Sequence, residues 1–258
     1  MLKLAANLDW LFTELPMSAR FHAARREGFR AVEGMFFCQH SLDMLRIAQQ
    51  ESGMSVVLMN APAGDWLRGE RGLAALPGRD DEYLNSLLIA RRYAGTLGCR
   101  QVHVMAGLRD HSVTEDEQLE LLVNRLCIAC DVLAEKDITV LIEPLNSEDM
   151  PGYIINSLPR AKDIIRRVSH QNIGLQFDIY HCQKIHGNVT QNIDKYLSIV
   201  KHFQIASVPG RHEPGSGELN DTWILNFINQ KNFQGWIGCE YKPSTLTTES
   251  LRWMKPYL

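Results

Sequence analysis

The sequence predicts an α/β fold, a single (β/α)8 barrel of the TIM type spanning residues 1–258. Three observations predict it. Strand-like apolar segments alternate with helical segments eight times, the pattern of βαβ units and a parallel sheet. Eight such units in 258 residues match the usual size of one barrel, roughly 250 residues. The strand core Val140-Leu141-Ile142 lacks polar alternation, as expected of a strand buried on both faces. A doubly wound open sheet is the competing fold, and it usually carries a glycine-rich phosphate turn after its first strand. Asn7-Leu8-Asp9-Trp10-Leu11-Phe12 stands there instead.

The elements follow in order. Leu4 to Asn7 is a short first strand, Ser18 to Glu27 a helix, and Phe29 to Glu33 a second strand. Leu42 to Glu51 is helical, and Ser55 to Asn60 is a β-branched, apolar third strand. The segment 61–79 carries turn signals at Pro62, Gly64, Gly69, Gly72 and Pro77-Gly78. It is too long for a minimal connection and is charged and aromatic, so it reads as a lid or, alternatively, a contact for a partner subunit. Asp80 is expected to cap a helix running to Leu97, with Gly98 as its stop. Arg100 to Met105 is strand four, and Thr114 with Glu117 forms a capping box for a helix to about Glu135. Asp137 to Glu143, Ile173 to Asp178, Ile199 to Ala206 and Gly235 to Tyr241 complete the strands. Helices are expected at Leu158 to Val168, Val189 to Leu197, Thr222 to Gln230 and Thr245 to Met254.

Composition narrows the function. A net charge of −3 gives no reason to expect nucleic acid or a membrane surface as a partner. No apolar run approaches the ~20 residues that span a bilayer, and Asp9 interrupts the N-terminus before a signal-peptide core could form. The six cysteines lie in apolar surroundings and read as reduced core residues of a cytoplasmic protein. Cys127 and Cys130 form a CxxC, but within a helical stretch and without a second thiol pair or nearby histidine to complete a zinc site.

The chemistry is expected at the carboxyl ends of the strands, where barrel active sites collect. Glu33, Asn60, His103, Glu143, Asp178, Gln204 and Glu240 all fall there. Pro144 ends strand five and leaves Glu143 at its tip, where a bare carboxylate is costly unless paired, hydrogen-bonded or bound to a metal. Glu143, Asp178, Gln204 and Glu240 lie on strands five to eight, and three carboxylates in one mouth would repel one another. A divalent cation resolves this, and hard oxygen ligands point to Mg²⁺, with Mn²⁺ or Co²⁺ as alternatives. For any one of these acids the alternative is a helix cap or a surface ion pair. Two glutamates beside a metal and a carbonyl suit proton abstraction next to that carbonyl, so Glu143 and Glu240 are assigned as the acid/base pair.

Further residues have two readings each. His181 either donates a hydrogen bond to a developing oxyanion or is held by a helix end. Arg211 either grips a substrate carboxylate by a forked hydrogen bond or is a solvated loop charge. Lys242 shares a face with Glu240 and would orient it or bind the anion. Asn60 and His103 are further substrate-binding candidates, His103 with a core role as its alternative. Trp10, Phe12 and Trp66 either wall a pocket or simply pack.

At these residues the chain resembles a known family. Leu141-Ile-Glu-Pro-Leu-Asn146, Phe177-Asp-Ile-Tyr-His181, Gly187-Asn-Val-Thr190, Pro209-Gly-Arg-His-Glu-Pro214, Gly217-Glu-Leu-Asn220 and Gly238-Cys-Glu-Tyr-Lys-Pro243 are similar to hydroxypyruvate isomerases, within the xylose-isomerase-like barrels. So are Leu76-Pro-Gly-Arg79 and Leu251-Arg-Trp-Met254, and the resemblance runs from Ala6 to the C-terminus. It implies interconversion of hydroxypyruvate and 2-hydroxy-3-oxopropanoate (tartronate semialdehyde), with Glu143 and Glu240 transferring the proton. Related sugar epimerases bind their metal through Glu, Asp, His and Glu at these strand ends. Here the third position carries Gln204, whose neutral amide oxygen is a weaker, harder ligand than imidazole. The 2-oxo-tetronate isomerases share nearly all these motifs and act on a four-carbon acid. The implied partner is a small hydroxy-keto acid, with a homo-oligomer left open.

Overall fold

The computed structural model describes residues 2–257. Eight parallel strands close into a barrel in sequence order, β1 (Leu4–Asn7), β2 (Ala31–Gly34), β3 (Ser55–Asn60), β4 (Gln101–His103), β5 (Thr139–Ile142), β6 (Ile173–Asp178), β7 (Val200–Ile205) and β8 (Ile237–Cys239). The barrel closes through Leu4, Ala5 and Ala6 of β1 against Ile237, Gly238 and Cys239 of β8. Each strand is followed by at least one helix: α1 (Met17–Arg26), α2 (Leu42–Ser52), α3 (Asp80–Leu97), α4 (Glu115–Ala134), α5 (Leu158–Val168), α6 (Ile179–His186), α7 (Val189–Tyr196), α8 (Asp221–Gln230) and α9 (Thr247–Ser250). Parallel neighbours need such crossovers, and the helices cover the outer faces of strands that are buried on both sides. No helix among the described residues is long and apolar enough to cross a membrane. All six cysteines are free.

Several expectations hold to the residue: the third and sixth strands and the helix Leu158–Val168. The capping box is complete, since Thr114 accepts from the Glu117 backbone and the Glu117 carboxylate accepts from the Thr114 backbone. Gly98 ends α3 at φ 65°, a left-handed conformation that costs glycine little. Three readings need correction. Asp80 is the first residue of α3 rather than its cap; Arg79 occupies the cap position and makes no side-chain capping bond. Asp80 instead accepts from Arg125 on α4. Helix α6 follows β6 at once, because Asp178 caps it by accepting from the Tyr180 N–H. The expected C-terminal helix is one short turn, α9, followed by a 3₁₀ stretch from Leu251 to Tyr257.

The long segment 61–79 is two-natured. Its second half is anchored: fully buried Arg125 donates to the carbonyls of Leu73 (2.8 Å) and Leu76 (2.7 Å), and Leu73, Ala74 and Ala75 are core residues. Gly72 sits at φ 126° where an added Cβ would overlap the Met105 carbonyl, so this close approach to the end of β4 requires glycine. The first half overhangs the barrel mouth. Trp66 packs edge-on to Phe36 at 5.3 Å, while Leu67 at the tip is 97% exposed.

Candidate active site

The strand ends place a group of buried polar side chains around one cavity of about 600 Å³. Glu143, just beyond β5, and Glu240, just beyond β8, both line it. His103 from β4, Gln204 from β7, His181 from α6 and Arg211 from the loop after β7 line it too, with Asn60 at the end of β3. Asp178 is buried beside it, its Oδ2 3.3 Å from Arg211 Nη2 and 3.7 Å from His181 Nε2. Arg211 also lies 3.4 Å from Glu240 Oε1. Its guanidinium is held between the rings of Trp10 (4.6 Å) and Tyr180 (4.8 Å), which fixes the plane of the fork. The Arg211 Nε is buried without a partner, as is Glu143 Oε1.

Electrostatics follow from burial. Loss of solvent pushes the Glu240 carboxyl up to about 8 despite the opposing pull of Arg211. Asp178 rises to about 6, again through burial against the pull of Arg211. Glu143 rises well above the ordinary carboxylate range through burial, then through repulsion from Glu240 and Asp178. Burial drives His103 down to about 3, so its ring is neutral.

Glu143, Asp178 and His181 bring ligand-type atoms within 4.8 Å of one another, a cluster close enough to hold a metal ion. The hydrogen bonds decide how His181 takes part. Its Nδ1 accepts from the Asn146 backbone N–H at 3.1 Å and faces Asn146 Nδ2 at 2.7 Å. The Asn146 amide cannot be reversed there, because its Oδ1 already accepts from the Glu148 and Asp149 N–H groups. Nδ1 therefore carries the lone pair and Nε2 the proton, so the ring presents a donor towards the cavity. An imidazole binding metal through Nε2 would carry its proton on Nδ1, where two donors already point. The oxygens of that cluster belong to Glu143, whose Oε1 has no partner, and Asp178. Glu240 and Gln204 line the cavity outside the cluster, and the Gln204 amide oxygen accepts from Gln176 Nε2 at 2.6 Å.

The structure does not bring Lys242 to the cavity. It is exposed, its N–H donates to the Arg211 carbonyl at 2.8 Å and its carbonyl is 2.8 Å from His212 Nδ1. Lys242 therefore pins the Arg211 loop through its backbone rather than meeting an anion. Trp10 and Trp66 line the cavity, whereas Phe12 is fully buried in the core.

Sequence reasoning missed Gln176. It lies two residues before Asp178 on β6, and this period-2 spacing, which puts both on one face, is the signal that could have found it. It also missed Asn7 and His202, which with Gln204 surround the fully buried Glu33. Gly238 makes room for that carboxylate, since a Cβ there would clash with all three of its atoms. Gly238→Ala is expected to destabilise the barrel by about 1–3 kcal/mol, as overpacking does. Chemical denaturation measures it, and an unchanged midpoint would contradict the contact.

A closed parallel barrel with buried carboxylates and one stacked arginine at its strand ends defines a (β/α)8 enzyme. The family profile described as xylose isomerase-like TIM barrel matches residues 21–257. A 2-oxo-tetronate isomerase from Cupriavidus necator is 41% identical over 99% of this chain and 98% of its own. The hydroxypyruvate isomerase of Escherichia coli K12 is 38% identical over the full length of both. A solved structure from Brucella melitensis, described as an AP endonuclease of family 2, superposes with a TM-score of 0.97 at 39% identity, covering 100% of this chain and 99% of that one. The chain belongs to the xylose isomerase-like TIM barrel family, and within it to the isomerases.

Proposed function

We propose that the protein interconverts hydroxypyruvate and 2-hydroxy-3-oxopropanoate by moving one proton between adjacent carbons. The observation that supports this most is the placement of Glu143 and Glu240 on one cavity, with Arg211 3.4 Å from Glu240 and its Nε still without a partner. The Arg211 fork takes the substrate carboxylate and leaves the C2 carbonyl and C3 between the two glutamates. One carboxylate removes the C3 proton, giving an enediolate; the other delivers a proton to C2, and the C3 hydroxyl proton leaves as O2 gains one. The neutral His181 donates from Nε2 to the oxygen on which charge develops. His103, whose buried Nε2 has no partner, and Asn60 face the substrate hydroxyl end. Glu143, Asp178, Gln204 and Glu240 would hold a divalent cation, Mg²⁺ first, with Mn²⁺ or Co²⁺ as alternatives. Such a cation would supply Lewis-acid polarisation of the carbonyl and charge for the enediolate.

A second substrate is favoured by a specific observation. The Cupriavidus relative is named for a four-carbon substrate. An adjoining pocket shares Met35, Asn60, Trp66 and Met105 with the main cavity, and the fourth carbon would extend into it. The test is NMR in D₂O with each acid and added Mg²⁺ or Mn²⁺. Isomerised product with deuterium entering at the carbon next to the carbonyl is expected; neither acid giving either signal would sink the proposal.

Cation binding should depend on pH. The folded, cation-free protein keeps protons on Glu240 up to about 8, whereas the ordinary value is 4.5. Between those values the native state binds more protons than the unfolded chain, so stability falls as pH rises through this window. A cation needs the ionised forms, so it displaces protons. Mn²⁺ affinity, measured by calorimetry, should tighten from pH 6 to 8 by up to about tenfold per pH unit for each proton displaced. A flat profile would contradict the assignment of these carboxylates as ligands.

A further inference from the structure

Beneath the cavity runs a chain of hydrogen bonds that crosses the barrel from β2 to the end of β5. It starts at Glu33, which is fully buried and is met by Asn7 Nδ2 (3.0 Å), Gln204 Nε2 (2.9 Å) and His202 Nε2 (2.6 Å). Because a carboxylate accepts, Gln204 must turn its NH₂ group towards Glu33 and its oxygen away. That oxygen accepts from Gln176 Nε2 at 2.6 Å, and the same Nε2 donates to Glu143 Oε2 at 2.9 Å. Both N–H groups of Gln176 are thereby committed, and neither amide can flip without opposing like to like inside a low-dielectric core.

We infer that Gln176 is a positioning residue for proton transfer at Glu143, with Glu33 setting the polarity of the relay through Gln204. The inference rests on the role proposed above for Glu143. Gln176 holds Oε2 and so directs the partnerless Oε1 as the oxygen that meets substrate or cation. Without that bond the carboxylate of Glu143 would rotate about its last torsion, which is broad and roughly two-fold. His103 does not hold that oxygen, since its Nδ1 is 3.7 Å from Oε2, too far for a hydrogen bond. Misplacing a reacting group by about 1 Å is enough to cost ~10²-fold in rate.

The test uses the full-length protein with Gln176→Met, which keeps the length of the side chain and removes the amide. Gln176→Leu, which also removes the amide at similar volume, is the second variant in case the first folds poorly. Both should lower kcat by about 30- to 100-fold while KM stays within about threefold of wild type. Crystal structures of wild type and variants should show the Glu143 carboxylate turned away from its wild-type orientation in an otherwise unchanged barrel. A kcat within about threefold of wild type in both variants, or a loss confined to KM or to melting temperature, would overturn the inference. If the wild type isomerises neither acid, the reaction fails but the crystal comparison still decides: a Glu143 carboxylate unmoved in both variants overturns the positioning role.

Discussion

Glu240→Gln is expected to lower kcat for isomerisation by about 10²- to 10⁴-fold, the usual contribution of a positioned acid or base. The amide keeps the size of the side chain and cannot carry the proton. The loss should fall on kcat more than on KM, because the proposed mechanism assigns the substrate carboxylate to Arg211 instead. Glu143→Gln should behave alike, since both residues lie at strand tips on one cavity and both are buried. Neither variant should unfold: each removes a buried carboxylate whose burial is itself unfavourable, as the upward shifts of both groups show. Steady-state kinetics with a melting curve for each variant checks this. A variant with kcat within tenfold of wild type would remove that residue from the proton transfer.

Arg211→Met should lower kcat/KM by about 10²- to 10³-fold, the cost of removing one partner from a desolvated charged contact. Two effects combine. On the proposed reaction the substrate carboxylate loses its fork, and in the structure Asp178 and Glu240 lose the cation that stands 3.3 Å and 3.4 Å from them. Arg211→Lys should recover only part of the loss. A point charge cannot reproduce the planar fork held between Trp10 at 4.6 Å and Tyr180 at 4.8 Å. The two effects separate with dihydroxyacetone, which keeps the hydroxy-ketone and lacks the carboxylate. Wild type and Arg211→Met should differ far less on that compound than on hydroxypyruvate. An equal penalty on both would mean that Arg211 acts on its neighbouring acids alone.

The parts of this molecule legible in the sequence are those set by local chemistry. The unbroken apolar run Val140-Leu141-Ile142 ending in Glu143 fixes both a buried parallel strand and the tip where a polar group emerges. The Thr114–Glu117 box and Gly98 fix helix ends for the same reason: the backbone there has few other solutions. What stayed hidden depends on partners distant in the chain. Asp80 looks like a cap, yet its carboxylate accepts from Arg125, 45 residues away. Lys242 has the right spacing from Glu240, but strand eight ends at Cys239 and the alternation of faces ends with it. The tautomer of His181 is set by Asn146, 35 residues earlier, and no spacing rule reveals it. Gln176 was hidden because a glutamine in an apolar strand reads as incidental until Glu143 and Gln204 are seen on either side of it.

The most direct measurement is deuterium exchange at C3 of hydroxypyruvate, followed by NMR in D₂O beside product formation, for Glu143→Gln and Glu240→Gln in turn. If two glutamates divide the work, the variant that retains the C3 base should wash in solvent deuterium while forming almost no isomer, and its counterpart should do neither. Exchange and isomerisation surviving together in either variant, or disappearing together in both, would contradict a division of labour between these two strand-end acids.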